Sequence, residues 1–149
     1  MIESGTKAPQ FLLPDQDGNE VSLDDFAGRK LIVAFYPADF SPVCTDQLSL
    51  YQEVLGEIEA KGATLVGISV DSRHSHRAFR EQLNLTMPLL SDFHPKGEVT
   101  RAYDAYIEER GHGNRSLVLV EDGEVRWSHA SPTPLEIPGA NLIFDALSA

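Results

Sequence analysis

Leu31-Ile32-Val33-Ala34-Phe35-Tyr36-Pro37-Ala38-Asp39-Phe40-Ser41-Pro42-Val43-Cys44 is an unbroken apolar run, a proline, and then a Ser-Pro pair with a cysteine behind it. Residues 31–36 mix β-branched and aromatic side chains without alternation, the pattern of a strand covered on both faces. From Pro42 the period changes. Leu48, Tyr51, Val54 or Leu55, and Ile58 recur at three- and four-residue steps, which predicts a helix. Lys61-Gly62 closes that helix with a cation and a C′ glycine. Ala63-Thr64-Leu65-Val66-Gly67-Ile68-Ser69-Val70 then reads as a second buried strand. Residues 31–70 are therefore a β-α-β unit whose strands run parallel.

Upstream, Asp17-Gly18 is a turn signal between Phe11-Leu12-Leu13 and Val21-Ser22-Leu23, which predicts a short hairpin in an otherwise irregular lead-in. Downstream, a helix follows Asp71-Ser72 and reaches about Leu83, and Met87 to Leu90 is a short strand. His94-Pro95 opens a short helix that runs to about Tyr103. Residues 115–120 and 124–128 are two strands joined by Asp122-Gly123, a hairpin signal. A helical stripe of Leu142, Ile143, Ala146 and Leu147 follows Pro138. A β-α-β half followed by a β-β-α half is an α/β chain with a mixed central sheet flanked by helices, which resembles the thioredoxin-like architecture. With no linker-like segment, residues 1–149 are expected to form one domain.

The 149 residues are enough for a real core, and 42% hydrophobic with 23% charged residues is ordinary globular composition. The net charge is −11, from 12 Lys and Arg against 23 Asp and Glu. Phosphate backbones and anionic lipid repel such a chain, so neither nucleic acid nor a membrane is an expected partner. The N-terminal residues show no signal-peptide pattern, and the apolar runs are strand-sized. A single cysteine makes no internal disulfide, which points to a reducing, cytoplasmic setting.

That cysteine, Cys44, is the focus of the chemistry. A lone cysteine is ordinarily a small buried hydrophobe. Here, with Ser41 as N-cap and Pro42 at N1, Cys44 falls at N3, within the first helical turn. Unpaired N–H groups and the positive end of the macrodipole favour a thiolate there. Asp39 is a rival cap, and Asp39 and Asp46 oppose a thiolate by like charge. An offsetting cation must come from elsewhere in the fold. Arg115, opening the strand Arg115-Ser116-Leu117-Val118-Leu119-Val120 after Gly111-His112-Gly113-Asn114, is the candidate. An arginine snorkelling at a sheet edge is the equally open alternative.

Pro37-x-x-x-Ser41-x-x-Cys44 resembles the peroxiredoxin active-site signature Pro-x-x-x-Thr/Ser-x-x-Cys. Gly67-Ile68-Ser69-Val70-Asp71-Ser72, Leu90-Ser91-Asp92 and Arg115-Ser116-Leu117-Val118 are similar to the same family in the same order, so the resemblance spans roughly residues 4 to 148. It is to the small thiol peroxidases of the AhpC/TSA group, including the bacterioferritin-comigratory-like and AhpE-like branches. The resemblance implies a peroxidatic Cys44, an active-site hydroxyl on Ser41, a loop proline at Pro37 and a peroxide-binding Arg115. Gln47 stands where family members often have Glu. Its amide is a candidate to orient Arg115, or it is a solvated polar residue.

The resemblance further implies a peroxide substrate, a Cys44 sulfenic acid intermediate, and neither metal nor organic cofactor. It also implies self-association, commonly as a homodimer. Two departures stand out: Ser41 replaces the commoner threonine, and a second cysteine is absent, with Ser49 and Ser75 at positions where some relatives carry one. Regeneration therefore falls to an external thiol, whether thioredoxin, glutaredoxin or a low-molecular-weight thiol.

A Cys-x-x-Cys oxidoreductase is excluded, because Ser41 occupies the first cysteine position. A redox-sensing or holdase protein using the same cysteine without efficient turnover is the alternative to a peroxidase. His74, His76, His94, His112 and His129 show no metal-ligand spacing and read as surface or capping residues. Tyr36, Phe40, Phe93 and Trp127 are candidate interface aromatics, with core burial the default for each.

Overall fold

The computed structural model describes every residue of the chain except Pro134. A short antiparallel hairpin, β1 (Leu12–Pro14) and β2 (Glu20–Ser22), and a 3₁₀ turn at Leu23–Phe26 precede β3 (Lys30–Phe35). The chain continues through α1 (Pro42–Glu53), α2 (Leu55–Ala60), β4 (Ala63–Ser69), α3 (Arg73–Leu83), β5 (Leu89–Ser91) and α4 (Glu98–Ala102). A two-residue ladder, β6 (Tyr106–Ile107) with β7 (His112–Gly113), leads to β8 (Ser116–Glu121), β9 (Glu124–Ala130) and α5 (Ala140–Ser148). The central sheet has the order β5-β4-β3-β8-β9, with β3, β4 and β5 parallel and β8 and β9 antiparallel to their neighbours.

The continuous apolar run in β3 is explained by two core layers. Ile32, Ala34 and Tyr36 face Cys44, Leu48, Tyr51, Ile58, Phe79, Ile143 and Leu147 on one side of the sheet. Leu31, Val33 and Phe35 face Phe11, Leu13, Val99, Tyr103, Val118 and Val125 on the other. Each such aliphatic side chain taken from water contributes about 1.5–3 kcal/mol, which is why neither face carries a polar residue from Leu31 to Phe35.

Register decides what meets beyond the end of β3. Phe35 pairs with Ile68 of β4 and with Ser116 of β8. Arg115, one residue ahead of β8, therefore enters the sheet beside the loop that leaves β3 for α1.

The structure departs from the sequence expectations in several places. The helix expected from Pro42 to Lys61 is two helices, because Val54 (φ −106°, ψ 6°) leaves helical geometry. Gly56, a weak helix former, follows closely, while Leu55 and Ile58 continue the apolar stripe and conceal the break. Gly62 (φ 80°) does take the left-handed C′ conformation. β5 starts at Leu89 rather than Met87, and the helix expected from His94 begins only at Glu98. Phe40 and Phe93 are 47% and 58% exposed, against the default of core burial, whereas Tyr36 is fully buried. Trp127 is half-buried on β9 and stacks on His129.

Candidate active site

The chain turns out of β3 at Tyr36 and Pro37, both buried. Phe40 takes a left-handed conformation (φ 65°), and Ser41 (φ −71°, ψ 145°) returns to extended backbone as the N-cap of α1. The Thr45 N–H donates to the Ser41 carbonyl at 2.9 Å, and Pro42 fills N1, where no N–H is needed. Cys44 is thus at N3, fully buried. The Ser41 hydroxyl does not cap the helix. It donates to the Ala38 carbonyl at 3.0 Å, inside the same loop.

Arg115, 3% exposed, donates from Nη1 to Cys44 Sγ and to Gln47 Oε1, each at 2.9 Å. Of the two readings of Arg115, the structure realises the cation beside the thiol. Gln47 is fully buried rather than solvated. Its amide orientation follows from a chain of bonds with a fixed sense. The Pro138 carbonyl only accepts, so it takes the single hydroxyl proton of Tyr51, at 2.7 Å. Tyr51 must then accept from Gln47 Nε2, at 3.2 Å, which leaves Gln47 Oε1 facing Arg115. Burial pushes the Tyr51 hydroxyl up to about 12, so it remains a donor at any ordinary pH.

Cys44, Arg115 and Gln47 therefore meet, with Tyr51 and Pro138 behind them. Pro37 and Ser41 lie in the loop that delivers α1. A positive guanidinium held against sulfur in a solvent-free site is suited to stabilising negative charge, whether on a thiolate or on an oxygen leaving it.

One expectation is corrected. His76 is not a surface or capping residue but fully buried, with Nδ1 2.7 Å from Asp39 Oδ2 and Nε2 3.0 Å from the Leu90 carbonyl oxygen. Tyr36 also donates to Asp39, at 2.6 Å, and Ser75 does so at 2.9 Å. The Asp39 carboxylate is thus held by this cluster, and Asp46 is exposed. The legible signal was the helical stripe His76, Phe79, Leu83 on α3, an apolar face with an imidazole in it. Asp39, Asp71 and His76 form the one cluster of three metal-ligand side chains among the described residues. With both His76 nitrogens engaged by protein oxygens, it is a closed hydrogen-bonded network and not an open shell.

Residues 4–128 match the AhpC/TSA family model. This chain belongs to the AhpC/TSA family. A Mycobacterium tuberculosis protein assigned to the peroxiredoxins is 44% identical over 131 residues, covering 83% of this chain and 82% of that one. Alkyl hydroperoxide reductase E of Mycobacterium bovis is 34% identical over 151 residues, covering 100% of this chain and 98% of that one. Enterococcus faecalis AhpC superposes with a TM-score of 0.89 over 99% of this chain and 92% of that one, at 24% identity, a likeness of fold. This AhpC/TSA member is a peroxiredoxin-type enzyme, a thiol peroxidase with the thioredoxin-like fold. Its family acts on peroxides with thiol reductants and forms oligomers. No helix among the described residues is long and apolar enough to cross a membrane. The family match ends ahead of Pro138, whose carbonyl is the last acceptor in the chain of bonds behind Gln47.

Proposed function

We propose that Cys44 is the peroxidatic nucleophile of a one-cysteine cycle acting on hydrogen peroxide and organic hydroperoxides. The thiolate attacks one peroxide oxygen, the O–O bond breaks, and the departing oxygen takes a proton to leave as water or alcohol. Sulfur is oxidised to a sulfenic acid and the peroxide is reduced. An external thiol then displaces hydroxide from sulfur as water, forming a mixed disulfide. A second thiol attacks that disulfide, restoring the Cys44 thiol and releasing the oxidised reductant. No internal disulfide competes, since the chain has one cysteine.

The observation that carries this reading is Arg115 Nη1 bonded at once to Cys44 Sγ and Gln47 Oε1. The guanidinium is the group we assign to bind peroxide and stabilise the leaving oxygen, with the Ser41 hydroxyl as second donor and Pro37 lining the loop. Gln47 is a positioning residue for Arg115. The reductant is assigned as thioredoxin, glutaredoxin or a low-molecular-weight thiol, the assembly as a homodimer and the compartment as the cytoplasm. Neither a metal nor an organic cofactor enters the cycle.

Stopped-flow oxidation of the reduced enzyme by hydrogen peroxide, beside Cys44→Ser and with sulfenate trapping by mass spectrometry, tests it. Fast stoichiometric sulfenate formation, lost in the variant, is expected. A reaction no faster than that of a free thiol would leave the redox-sensing or holdase reading in its place.

A further inference from the structure

Asp39 and His76 take no part in the chemistry assigned to Cys44, yet both side chains are fully shielded from solvent where they meet. Their protons can be placed by elimination. The Leu90 carbonyl only accepts, so His76 Nε2 carries a hydrogen. Nδ1 and Asp39 Oδ2 are then 2.7 Å apart, and two bare acceptors do not approach so closely. A proton therefore lies between them and ties the two side chains together. Tyr36 donates to Asp39 Oδ1, and Ser75 donates to Oδ2. Burial, and next the Asp39 charge, hold the Tyr36 hydroxyl well above its ordinary value, so Tyr36 stays a donor.

The backbone of the same residue is also tied down. The Asp39 N–H donates to Asp71 Oδ2 at 2.9 Å, and the Asp71 carbonyl accepts from Ser91 at 2.6 Å. Residue 39 is thus anchored to the end of β3, to the loop after β4, to α3 and to β5. Between it and Cys44 lie Phe40 in the left-handed region, Ser41, the rigid ring of Pro42, and Val43. So short and stiff a connection transmits the position of residue 39 to the first turn of α1.

Cys44 has no exposed surface. Peroxide is small, but an outside thiol must bring its own sulfur into bonding contact with the oxidised one. The closed arrangement aligns Cys44 with Arg115 for oxidation, and the reductant needs that arrangement opened. We propose that the Asp39–His76 pair is a positioning latch for the Cys44 loop, whose closure favours oxidation of Cys44 and opposes its reduction by an external thiol. This rests on the one-cysteine reading above.

The distinguishing consequence is that loosening the latch moves the two half-reactions in opposite directions. The test follows His76→Leu and Asp39→Ala by stopped flow, with hydrogen peroxide for oxidation and dithiothreitol for reduction of the preformed sulfenate. Hydrogen exchange of the backbone amides of residues 38–41 and 43–45 is measured alongside. Sulfenate formation is expected to slow about 10–100-fold through misalignment of the sulfur. Reduction by dithiothreitol is expected to accelerate about tenfold as the open state gains population, with faster exchange in the loop.

A purely structural role would lower the amplitudes through loss of folded enzyme and leave both rate constants as in the wild type, which overturns the latch. So do two constants that fall together. If either variant fails to fold, Tyr36→Phe and Ser75→Ala, each removing one donor to Asp39, must show the same opposed pair of changes at smaller size. Failure of the wild type to form a sulfenate would sink the peroxidase reading, and loop exchange unchanged in the variants would separately sink the latch.

Discussion

At the residue scale the site turns on the difference between a charge and a shaped charge. Arg115 bridges Cys44 Sγ and Gln47 Oε1 from one nitrogen, and Gln47 is itself held by Tyr51. Lysine would bring a cation but not a planar donor set with that geometry. Arg115→Ala is expected to slow sulfenate formation by about 10²–10³-fold, the size seen when one donor to a developing oxyanion is removed. Arg115→Lys should fall between the two, and stopped-flow rate constants decide it. Equal rates in wild type and Arg115→Ala would remove the arginine from the chemistry.

The placement of Cys44 and Ser41 in the first turn of α1 was legible because the residues themselves announce that helix start, whereas spacing left Arg115 open between a cation beside the thiol and an arginine at a sheet edge. Gln47 stayed ambiguous, since the α1 period by itself cannot tell a polar residue inside the stripe from one beside it. His76 was misread for a related reason. Ligand spacing carries no trace of an imidazole on a buried helix face whose partner, Asp39, lies in another loop.

At the element scale, the strongest readings were β3, β4 and the β8–β9 hairpin, whose long apolar runs serve both core layers. The β6–β7 ladder was invisible because two-residue strands have no period to detect. The register of β4 explains a residue whose role composition does not suggest. Gly67 pairs with Ala34 and Leu89, and a Cβ there would come within 2.8 Å of Leu89 Cδ2 and 3.2 Å of Tyr36 Cε1. Leu89 is fully buried, and the Tyr36 ring is held by its bond to Asp39, so neither yields easily. Gly67→Ala is expected to cost about 1–3 kcal/mol as overpacking, despite the better strand propensity of most residues over glycine. Urea unfolding measures it. Stability equal to wild type would mean that Leu89 and Tyr36 shift freely, and the tight approach of β4 to the Tyr36 loop would lose its significance.

At the scale of the whole molecule, the two core layers each conceal phenols, and this makes the fold sensitive to alkali. Tyr36 and Tyr51 lie in one layer and Tyr103 in the other. Burial raises all three, Tyr51 to about 12, while the unfolded chain releases these protons near 10. Between those values the unfolded state binds fewer protons than the native state, so stability falls as pH rises, and the full stabilisation is present only below about pH 10. For Tyr51 alone the difference amounts to about 2–3 kcal/mol by pH 12. Tyr36 and Tyr103 act in the same direction. Urea unfolding of wild type and Tyr51→Phe at pH 8, 9.5 and 11 isolates one phenol, since other titrating groups are common to both. Tyr51→Phe should be less stable at pH 8 by about 1 kcal/mol, having lost its bonds to Pro138 and Gln47. That deficit should shrink as pH rises, because the variant has no phenol to ionise. A deficit constant across the series would mean that Tyr51 ionises alike in the folded and unfolded chain. The closed hydroxyl that orients Gln47 toward Arg115 would then be open to water, and the positioning role assigned to Gln47 would fall with it.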